Sequence, residues 1–341
     1  QIAHSDFMTR YFRPLVQTGV VRPEAALPLV GGAFWFTHVE CLRRNRPAEV
    51  MPASAVPLAR QQALSASRAP IGGVRFDQPA LMGILNVTPD SFSDGGQFQG
   101  RNMALARARE MVSQGADILD IGGESTRPGA VEIDIDIEIS RIAPVISAIR
   151  AAESIPISID TRKAKVAEAA ALAGANIVND VSGFTFDPNL VALCRDRRLP
   201  VVVMHAQGLP QIMQGNPQYD DVVLDVYDFL HRQIDNLVRL GLARDQIIAD
   251  PGIGFGKTVS HNLALLNRIS LFHGLGVPLL LGASRKGFIR VIGKSLDAND
   301  RMPGSVAVGL AALSQGVQIL RVHDVSDTRQ AVNLWQAVLG G

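Results

Sequence analysis

Residues able to take part in chemistry follow a series of apolar runs in this chain. The first run, Leu81–Leu85, ends in Asn86 and in a polar, glycine-rich stretch that extends to Gly96. The later runs end in these polar residues: Asp120, Asp160, Asn179 and Asp180, His205, Asp250, Ser284 to Lys286, and Arg321 to Asp324. An Asp or Asn at any one of these places could be a helix N-cap, but eight independent caps would not need Lys, Arg and His. We therefore expect these side chains to share one site.

The last strand-like run places two cationic residues on one side. Arg321 and His323 are two residues apart, so on a strand their side chains point the same way. Together with Lys286 from the preceding run, they predict a cationic cluster in a chain whose net charge is only +1. Such a cluster favours an anion, and phosphate or pyrophosphate suits its donors.

The ends of the other runs supply hydrogen-bond acceptors. Asp160, Asn179 and Asp250 could accept hydrogen bonds from the N–H groups of an amino-substituted heterocycle. Asn86 offers a neutral oxygen ligand that suits a Mg²⁺ ion shared with a substrate phosphate. The residues therefore predict a pocket that holds a nitrogen heterocycle at one end and a metal-bound phosphate at the other.

The elements that must position these residues alternate regularly. Eight strand-like runs, from Ala80–Leu85 to Ile319–Val322, are each followed by a helical pattern, from Met103–Gln114 to Ser326–Leu339. Eight strand–helix units in about 265 residues are typical of a (β/α)8 barrel, whose catalytic groups lie at the C-terminal ends of several strands. The alternative is a doubly wound open sheet, which would have one dominant phosphate loop at a switch point. We predict an α/β TIM barrel over residues 76–341.

Residues 1–75 differ from the rest of the chain and form an N-terminal extension of unknown function. They are rich in Arg, Pro and Ala, poor in acidic residues, and without sustained periodicity. A strand or two is predicted within Leu27–Cys41, and Pro52–Gly73 is interpreted as linker. The extension could cover the closed end of the barrel or mediate assembly. Its arginine-rich composition also fits a transit peptide.

Composition restricts the class of protein. The 341 residues are 47% hydrophobic and carry a net charge of +1, so no overall basic field suggests nucleic acid as a partner. The two cysteines, Cys41 and Cys194, lie far apart and fit a reducing compartment. No apolar run reaches the length needed to span a membrane. We therefore expect a cytoplasmic protein that binds neither nucleic acid nor membranes.

Two further features receive structural interpretations. Gly252–Thr258 looks like a phosphate-binding loop, but the Walker spacing requires glycine at the position of Pro251. Lys257 is therefore predicted to be a local loop or rim residue. His205 is interpreted as a satisfied core histidine rather than as a ligand.

The motifs at the strand ends, taken together, resemble the dihydropteroate synthase family of pterin-binding barrel enzymes. The resemblance covers about residues 78–341. It rests on MGILNVTPDSFSDGG (82–96), DIGGESTRPGA (120–130), SIDT (158–161), IVNDVSGF (177–184), ADPGIGFGKT (249–258), GASRK (282–286) and RVHDV (321–325). One of these motifs alone would be a weak signal, but the set in this order is highly specific.

The resemblance implies a reaction. The family condenses 6-hydroxymethyl-7,8-dihydropterin pyrophosphate with p-aminobenzoate and forms 7,8-dihydropteroate and pyrophosphate in folate biosynthesis. It also implies Mg²⁺ as a cofactor and a dissociative, SN1-like substitution, in which pyrophosphate leaves before the arylamine attacks. A homodimer is expected, and sulfonamides should compete because they mimic p-aminobenzoate.

The resemblance also implies a role for individual residues. The catalytic set is Asn86, Asp160, Lys286, Arg321 and His323. The pterin-binding set is Asp160, Asn179, Asp250, Lys286 and Arg321. The pyrophosphate set is Asn86, Thr126, Arg321 and His323, with Asn86 also on the metal. The p-aminobenzoate set is Phe92, Thr126, Arg127, Pro128, Phe255 and Ser284. Gly287 stands where relatives often carry a serine that helps to hold the carboxylate, so this sequence lacks that side-chain contact, while Ser284 and backbone N–H groups at the helix start are still expected to face the carboxylate.

Two other functions are compatible with such a barrel. A pterin-dependent methyltransferase would share the acidic residues that bind the pterin but would need no pyrophosphate site. A non-catalytic barrel homologue would have lost polar groups at the strand ends. The intact GESTRPGA, SRK and RVHD segments favour the synthase reaction over both.

Overall fold

The structure, a computed structural model of the chain, describes residues 10–88, 96–125, 130–208 and 215–340, without the side chains of 96–99. Within these residues the strands are β1 (Tyr11–Pro14), β2 (Leu27–Pro28), β3 (Trp35–Phe36), β4 (His38–Leu42), β5 (Glu49–Pro52), β6 (Ala80–Asn86), β7 (Ile118–Gly122), β8 (Ile157–Asp160), β9 (Ile177–Asp180), β10 (Val201–Met204), β11 (Ile247–Asp250), β12 (Leu280–Leu281) and β13 (Ile319–Val322).

Helices follow the barrel strands in the order that the sequence predicts. They are α1 (Leu58–Ser65), α2 (Gly96–Ser113), α3 (Ile135–Ala152), α4 (Ala164–Ala173), α5 (Asn189–Arg197), α6 (Val222–Arg239), α7 (Val259–Asn267), α8 (Gly287–Gly293), α9 (Met302–Leu313) and α10 (Val325–Gly340). Short 3-10 helices lie at Ala53–Ala55, Arg244–Gln246, Ile269–Leu275 and Asn299–Arg301. In the part of the chain that is described, no helix is both long enough and apolar enough to cross a membrane.

The parallel sheet closes into a barrel. Eight strands pair in the order β11-β10-β9-β8-β7-β6-β13-β12. The two end strands are joined by a parallel bridge between Ala249 and Leu279, and the Ala249 N–H donates to the Pro278 carbonyl over 2.9 Å. The predicted TIM barrel is therefore confirmed. The open sheet is wrong, because it would leave two unpaired edges.

Alternation along the strands separates the barrel interior from its outer face. On β7, the outward residues Leu119 and Ile121 belong to the main core, which they share with the surrounding helices. Ile118 and Asp120 alternate with these residues along the strand and point inward. The inward residues at the N-terminal end of the barrel form a separate apolar layer, which contains Ala80, Met82, Ile118, Ile177, Val202, Ile248, Leu280 and Ile319. Toward the C-terminal end the inward positions become polar.

Residues 10–75 form a small antiparallel unit with a core of its own. β1 and β5 pair with β4, and β2 pairs with β3, so the strands predicted within Leu27–Cys41 are confirmed. The core of this unit is Phe12, Leu29, Phe36, Val39, Cys41, Ala53, Val56 and Leu64. The unit packs on the outside of the barrel, where Arg44 lies 2.6 Å from Asp225 and 2.7 Å from Asp228 of α6.

The turn Ile71–Val74 closes the N-terminal end of the barrel. Ile71 and Val74 exchange two backbone hydrogen bonds of 2.9 and 2.8 Å and belong to the apolar layer of the interior. Between them, Gly72 has a φ of +59°, and a Cβ there would lie 2.8 Å from Ile177 Cδ1. Only glycine fits this close approach. The interpretation of Pro52–Gly73 as linker is therefore wrong, since the segment contains α1 and enters the barrel.

We expect Ile71→Ala to lower the free energy of unfolding by about 2–5 kcal/mol, because the side chain is only 2% exposed and its loss leaves a cavity. Urea unfolding at neutral pH measures the change. Leu58→Ala is the control, since Leu58 is 68% exposed and should change stability by less than about 0.5 kcal/mol. Equal effects of the two substitutions would contradict the role of this turn.

Candidate active site

Strand register aligns four residues at the C-terminal end of the barrel. Asn86 pairs with Gly122, Gly122 with Asp160, and Asp160 with Asn179 across β6, β7, β8 and β9. A Cβ built on Gly122 would lie 3.5 Å from Asn86 Oδ1 and 3.8 Å from Asp160 Oδ2. The predicted metal ligand and the predicted catalytic carboxylate therefore flank one small gap.

A second glycine separates two predicted residues on the opposite wall. A Cβ built on Gly282 of the β12 end would lie 3.8 Å from Asp250 Oδ2 and 3.9 Å from Arg321 Cδ. Asp250, at the end of β11, and Arg321, on β13, therefore face the same interior. The structure thus brings together the residues that the sequence predicts for pterin binding.

Arg321 is held between two carboxylates. Its Nε donates to Asp120 Oδ2 over 2.6 Å, and its Nη2 donates to Asp160 Oδ2 over 2.9 Å. Asn179 Nδ2 donates to the same Asp120 oxygen over 3.1 Å. The predicted cationic cluster is therefore neutralised in part at Arg321. Asp120 was expected at the site, but its pairing with Arg321 and Asn179 was not predicted from the sequence.

Two buried carboxyl groups have raised pKa values. Burial raises the pKa of Asp160 to about 7, against the opposing charge of Arg321 and with the help of Asp120. Burial also raises the pKa of Asp250 to about 6, opposed by the Gly252 N–H, which donates to Asp250 Oδ1 over 2.7 Å. Among the described residues, Asp160 Oδ1 is buried without a hydrogen-bond partner. Such acceptors suit the N–H groups of a ligand.

Lys286 and Phe255 meet at the side of Asp250. Lys286 Nζ lies 4.1 Å from the centre of the Phe255 ring, within the range of a cation–π contact. Gly254 has a φ of +83°, and a Cβ there would lie 3.1 Å from Lys286 Cδ. The loop after β11 therefore packs directly on the Lys286 side chain.

Ser284 forms hydrogen bonds with His323. Ser284 Oγ accepts the His323 backbone N–H over 3.2 Å and lies 3.0 Å from His323 Nδ1. Because the hydroxyl accepts one proton, it can donate its own to Nδ1, which places the proton of the neutral ring on Nε2. The neighbouring Arg285 forms a two-bond ion pair with Asp324. Ser284 is assigned to p-aminobenzoate by the resemblance, and its hydroxyl has this additional partner within the protein.

A buried ionic cluster fixes the segment after β7. Glu124 Oε1 accepts from Ile133 N–H over 2.9 Å and from Lys163 Nζ over 3.1 Å. Lys163 Nζ also donates to Glu138 Oε2 over 2.9 Å, and Thr161 donates to the other oxygen of that carboxylate. No sequence motif indicated a role for Lys163. The predicted residues Phe92, Thr126, Arg127 and Pro128 lie outside the described residues.

Lys257 and His205 form a buried pair behind Asp250. Lys257 lies in the loop before α7, as one of the two predicted alternatives has it, but it is only 3% exposed, so the alternative of a rim position is wrong. His205 is also buried, which confirms its interpretation as a core histidine. Lys257 Nζ lies 2.9 Å from His205 Nδ1.

The donor set at the strand ends fits a metal ion that is shared with a substrate. Within the described ranges, no group of three His, Cys, Asp or Glu side chains could hold a metal ion. A Mg²⁺ ion held mainly by phosphate oxygens and water needs only one or two protein oxygens. Asn86, beside Asp160 in the aligned row, can supply one.

Comparison with known proteins agrees with this arrangement of residues. A family model described as pterin binding enzyme matches residues 82–323. The chain belongs to the pterin-binding enzyme family. A dihydropteroate synthase from Synechocystis sp. is 44% identical over 272 residues, which cover 79% of this chain and 94% of the relative.

Solved structures in this family share the fold. Xanthomonas albilineans dihydropteroate synthase with 4-aminobenzoic acid has a TM-score of 0.74 and 42% identity, covering 78% of this chain and 95% of its own. The Yersinia pestis dihydropteroate synthase in complex with a sulfonamide drug has a TM-score of 0.74 and 41% identity, covering 79% of this chain and 97% of its own. The resemblance to the dihydropteroate synthases is confirmed. The turn Ile71–Val74 precedes the segment that the family model matches.

We expect Asp250→Asn to stabilise the free protein increasingly as the pH rises. A carboxyl whose pKa is raised from 3.8 to about 6 contributes stability below its unfolded pKa and loses it as the pH rises through 6. Asn imitates the protonated form, so the variant should gain about 1–2 kcal/mol relative to the native chain between pH 4.5 and 8.

Urea unfolding of both proteins at the two pH values measures this gain. Asp245→Asn, at an exposed position, is the control and should show no pH-dependent difference. A difference for Asp250→Asn that does not change with pH would show that the buried carboxylate is not destabilising.

Proposed function

We propose that this chain condenses 6-hydroxymethyl-7,8-dihydropterin pyrophosphate with p-aminobenzoate and forms 7,8-dihydropteroate and pyrophosphate. The chain is thus a transferase of folate biosynthesis. The observation that carries the proposal is the pair of buried carboxyl groups, Asp160 and Asp250, at the open end of a barrel of the pterin-binding family. Family membership makes the ring that they bind a pterin.

The pterin ring lies between acceptors from three strands. Its N–H groups donate to Asp250 and to Asp160 Oδ1, which is buried without a protein donor in the described part of the chain. Gly252 already occupies Asp250 Oδ1, so Oδ2 serves the ligand. Asn179 lies next to Asp160 in the strand register and binds the same edge of the ring. Lys286, against Phe255, binds the acceptor edge of the ring.

Asp160 also acts on the reaction itself. The bond between the pterin methylene and the pyrophosphate oxygen breaks first, and pyrophosphate leaves with the bonding electrons. The Asp160 carboxylate stabilises the resulting cation electrostatically, and Arg321 holds that carboxylate in place. The neutral arylamine nitrogen then attacks the methylene and releases a proton, so no strong general base is needed.

The pyrophosphate is bound at the neighbouring strand ends. His323, oriented by Ser284, donates to it, and Asn86 would supply a protein oxygen to a Mg²⁺ ion. When bound, this ion neutralises charge on the leaving group. Thr126 completes the pyrophosphate-binding set. Arg321 attracts the pyrophosphate through its charge while it remains paired with Asp160.

p-Aminobenzoate lies at the entrance of the same pocket. Phe255 forms one wall, and the carboxylate meets the N–H groups at the start of α8, where Gly287 supplies no side chain. Ser284 lies at the edge of this subsite, and the family assigns the remaining contacts to Phe92, Thr126, Arg127 and Pro128. Sulfonamides compete at this subsite.

The chain works as a cytoplasmic homodimer with small-molecule substrates. Apolar residues exposed on the C-terminal helices support a second copy as the partner: Val291 and Ile292 on α8, and Leu334 and Val338 on α10.

Pyrophosphate release from the purified protein tests the proposal. With the pterin pyrophosphate and Mg²⁺ present, release should depend on p-aminobenzoate and be matched by dihydropteroate. No turnover with intact pterin binding would favour the methyltransferase or the non-catalytic homologue, and a corrinoid methyl-transfer assay would separate these two.

We expect His323→Ala to weaken binding of the pterin pyrophosphate about 10- to 100-fold, since a hydrogen bond to a charged group contributes about 1.5–3 kcal/mol. Binding of 6-hydroxymethylpterin, which lacks phosphates, should change less than about twofold. Calorimetric titration of both ligands measures the difference. His231→Ala, on the outer helix α6, is the control. Equal losses for the two ligands would place the pyrophosphate elsewhere.

A further inference from the structure

The loop after β11, residues 251–257, lies directly on the segment after β10. Gly252 has a φ of +68°, and a Cβ there would lie 1.9 Å from the His205 carbonyl oxygen. Gly256 has a φ of +61°, and a Cβ there would lie 2.4 Å from the Gln207 carbonyl oxygen. Only glycine fits at both positions, so the two backbone segments are in direct contact.

Lys257 joins these two segments. Its Nζ lies 2.9 Å from His205 Nδ1, 3.3 Å from the His205 carbonyl oxygen and 3.0 Å from the Phe255 carbonyl oxygen. An ammonium group has three N–H donors, and these three acceptors use all of them. One side chain therefore satisfies polar groups of both segments in a site closed to water.

The histidine partner is fixed in a neutral form. Burial and the charge of Lys257 hold the pKa of His205 well below its ordinary value, so Nδ1 can accept the lysine proton. The ring packs edge-on against Phe229, with centroids 4.9 Å apart, and lies 6.0 Å from the Tyr219 ring. Tyr219 in turn donates to the Gly256 carbonyl over 2.7 Å.

The loop that Lys257 fixes lies between two residues of the proposed pterin site, Asp250 and Lys286. Asp250 precedes it, and Phe255 within it contacts Lys286. The charged groups that act on Asp250 are Lys286, Arg321 and Lys257, and all three favour its ionised form. Burial lowers the pKa of Lys257 to about 7, so its charge acts on Asp250 mainly below that pH, where the acid limb of Asp250 lies.

We propose that Lys257 is a positioning residue of the pterin site. It holds the loop 251–257 against the His205 segment, which fixes Asp250 and Phe255, and its charge favours the ionised Asp250 carboxylate that accepts the pterin N–H groups. The inference rests on the proposed function, since that function makes the ligand a pterin.

Two effects of removing this lysine can be separated. Lys257→Met removes both the donors and the charge. Lys257→Gln removes the charge, keeps two N–H donors and is the milder change for folding. Loss of the charge should raise the pKa of Asp250 by about one unit, because a nearby cation favours the carboxylate. Loss of the donors should loosen the loop at every pH.

The experiment is titration of 6-hydroxymethylpterin, a ligand without phosphates, into each protein between pH 5 and pH 9. For Lys257→Met we expect about 10- to 100-fold weaker binding at pH 8, and an acid limb moved about one unit to higher pH. For Lys257→Gln we expect the same shift of the acid limb with affinity at pH 8 largely restored. Lys165→Met, at an exposed lysine of α4, should match the native protein.

Different results would contradict the positioning role of Lys257 and the proposed reaction. A folded Lys257→Gln protein with the native affinity and the native acid limb would overturn the inference. A loss of stability alone, with both binding quantities unchanged, would overturn it as well. Turnover of the native protein is measured in parallel: absence of p-aminobenzoate-dependent pyrophosphate release, with the shifted pterin profile still present, would refute the proposed reaction and leave the positioning role in place.

Discussion

The ion pair network of Arg321 is the interaction on which the site depends. Its guanidinium links Asp120 of β7 to Asp160 of β8, and Asn179 of β9 joins through the same Asp120 oxygen. Asp120 is completely buried, so loss of the arginine would leave an uncompensated charge and destabilise the fold by about 3–5 kcal/mol. The network therefore fixes the relative positions of four neighbouring strands, β13, β7, β8 and β9, on one side of the site.

The same network leaves acceptors that the protein itself does not satisfy. Asp120 Oδ1, Ser158 Oγ and Asp160 Oδ1 are buried without partners among the described residues, and burial raises the pKa values of Asp160 and Asp250. These features lower the stability of the free barrel at neutral pH. A bound ligand rich in N–H donors would supply hydrogen bonds to these acceptors and so stabilise the protein. The free protein is therefore less stable at the residues that would recognise the ligand.

The N-terminal extension contributes to the packing at the N-terminal end of the barrel, opposite the proposed site. Ile71 and Val74 complete the apolar layer of the interior, and the antiparallel unit before them is tied to α6 by Arg44. The segment that the family model matches begins only at residue 82. In this chain the apolar layer at the closed end of the barrel is therefore completed by residues outside the family match.

The sequence by itself determined the eight strand–helix units, because hydrophobic periodicity is a local property. It also determined that Arg321 and His323 share a side, since the two-residue repeat of a strand is local. Only the tertiary structure decided that Arg321 pairs with Asp120, that Lys257 is buried against His205, and that Ile71 enters the barrel. The two polar contacts join residues 52 and 201 positions apart, and burial in the interior decides which charges are paired.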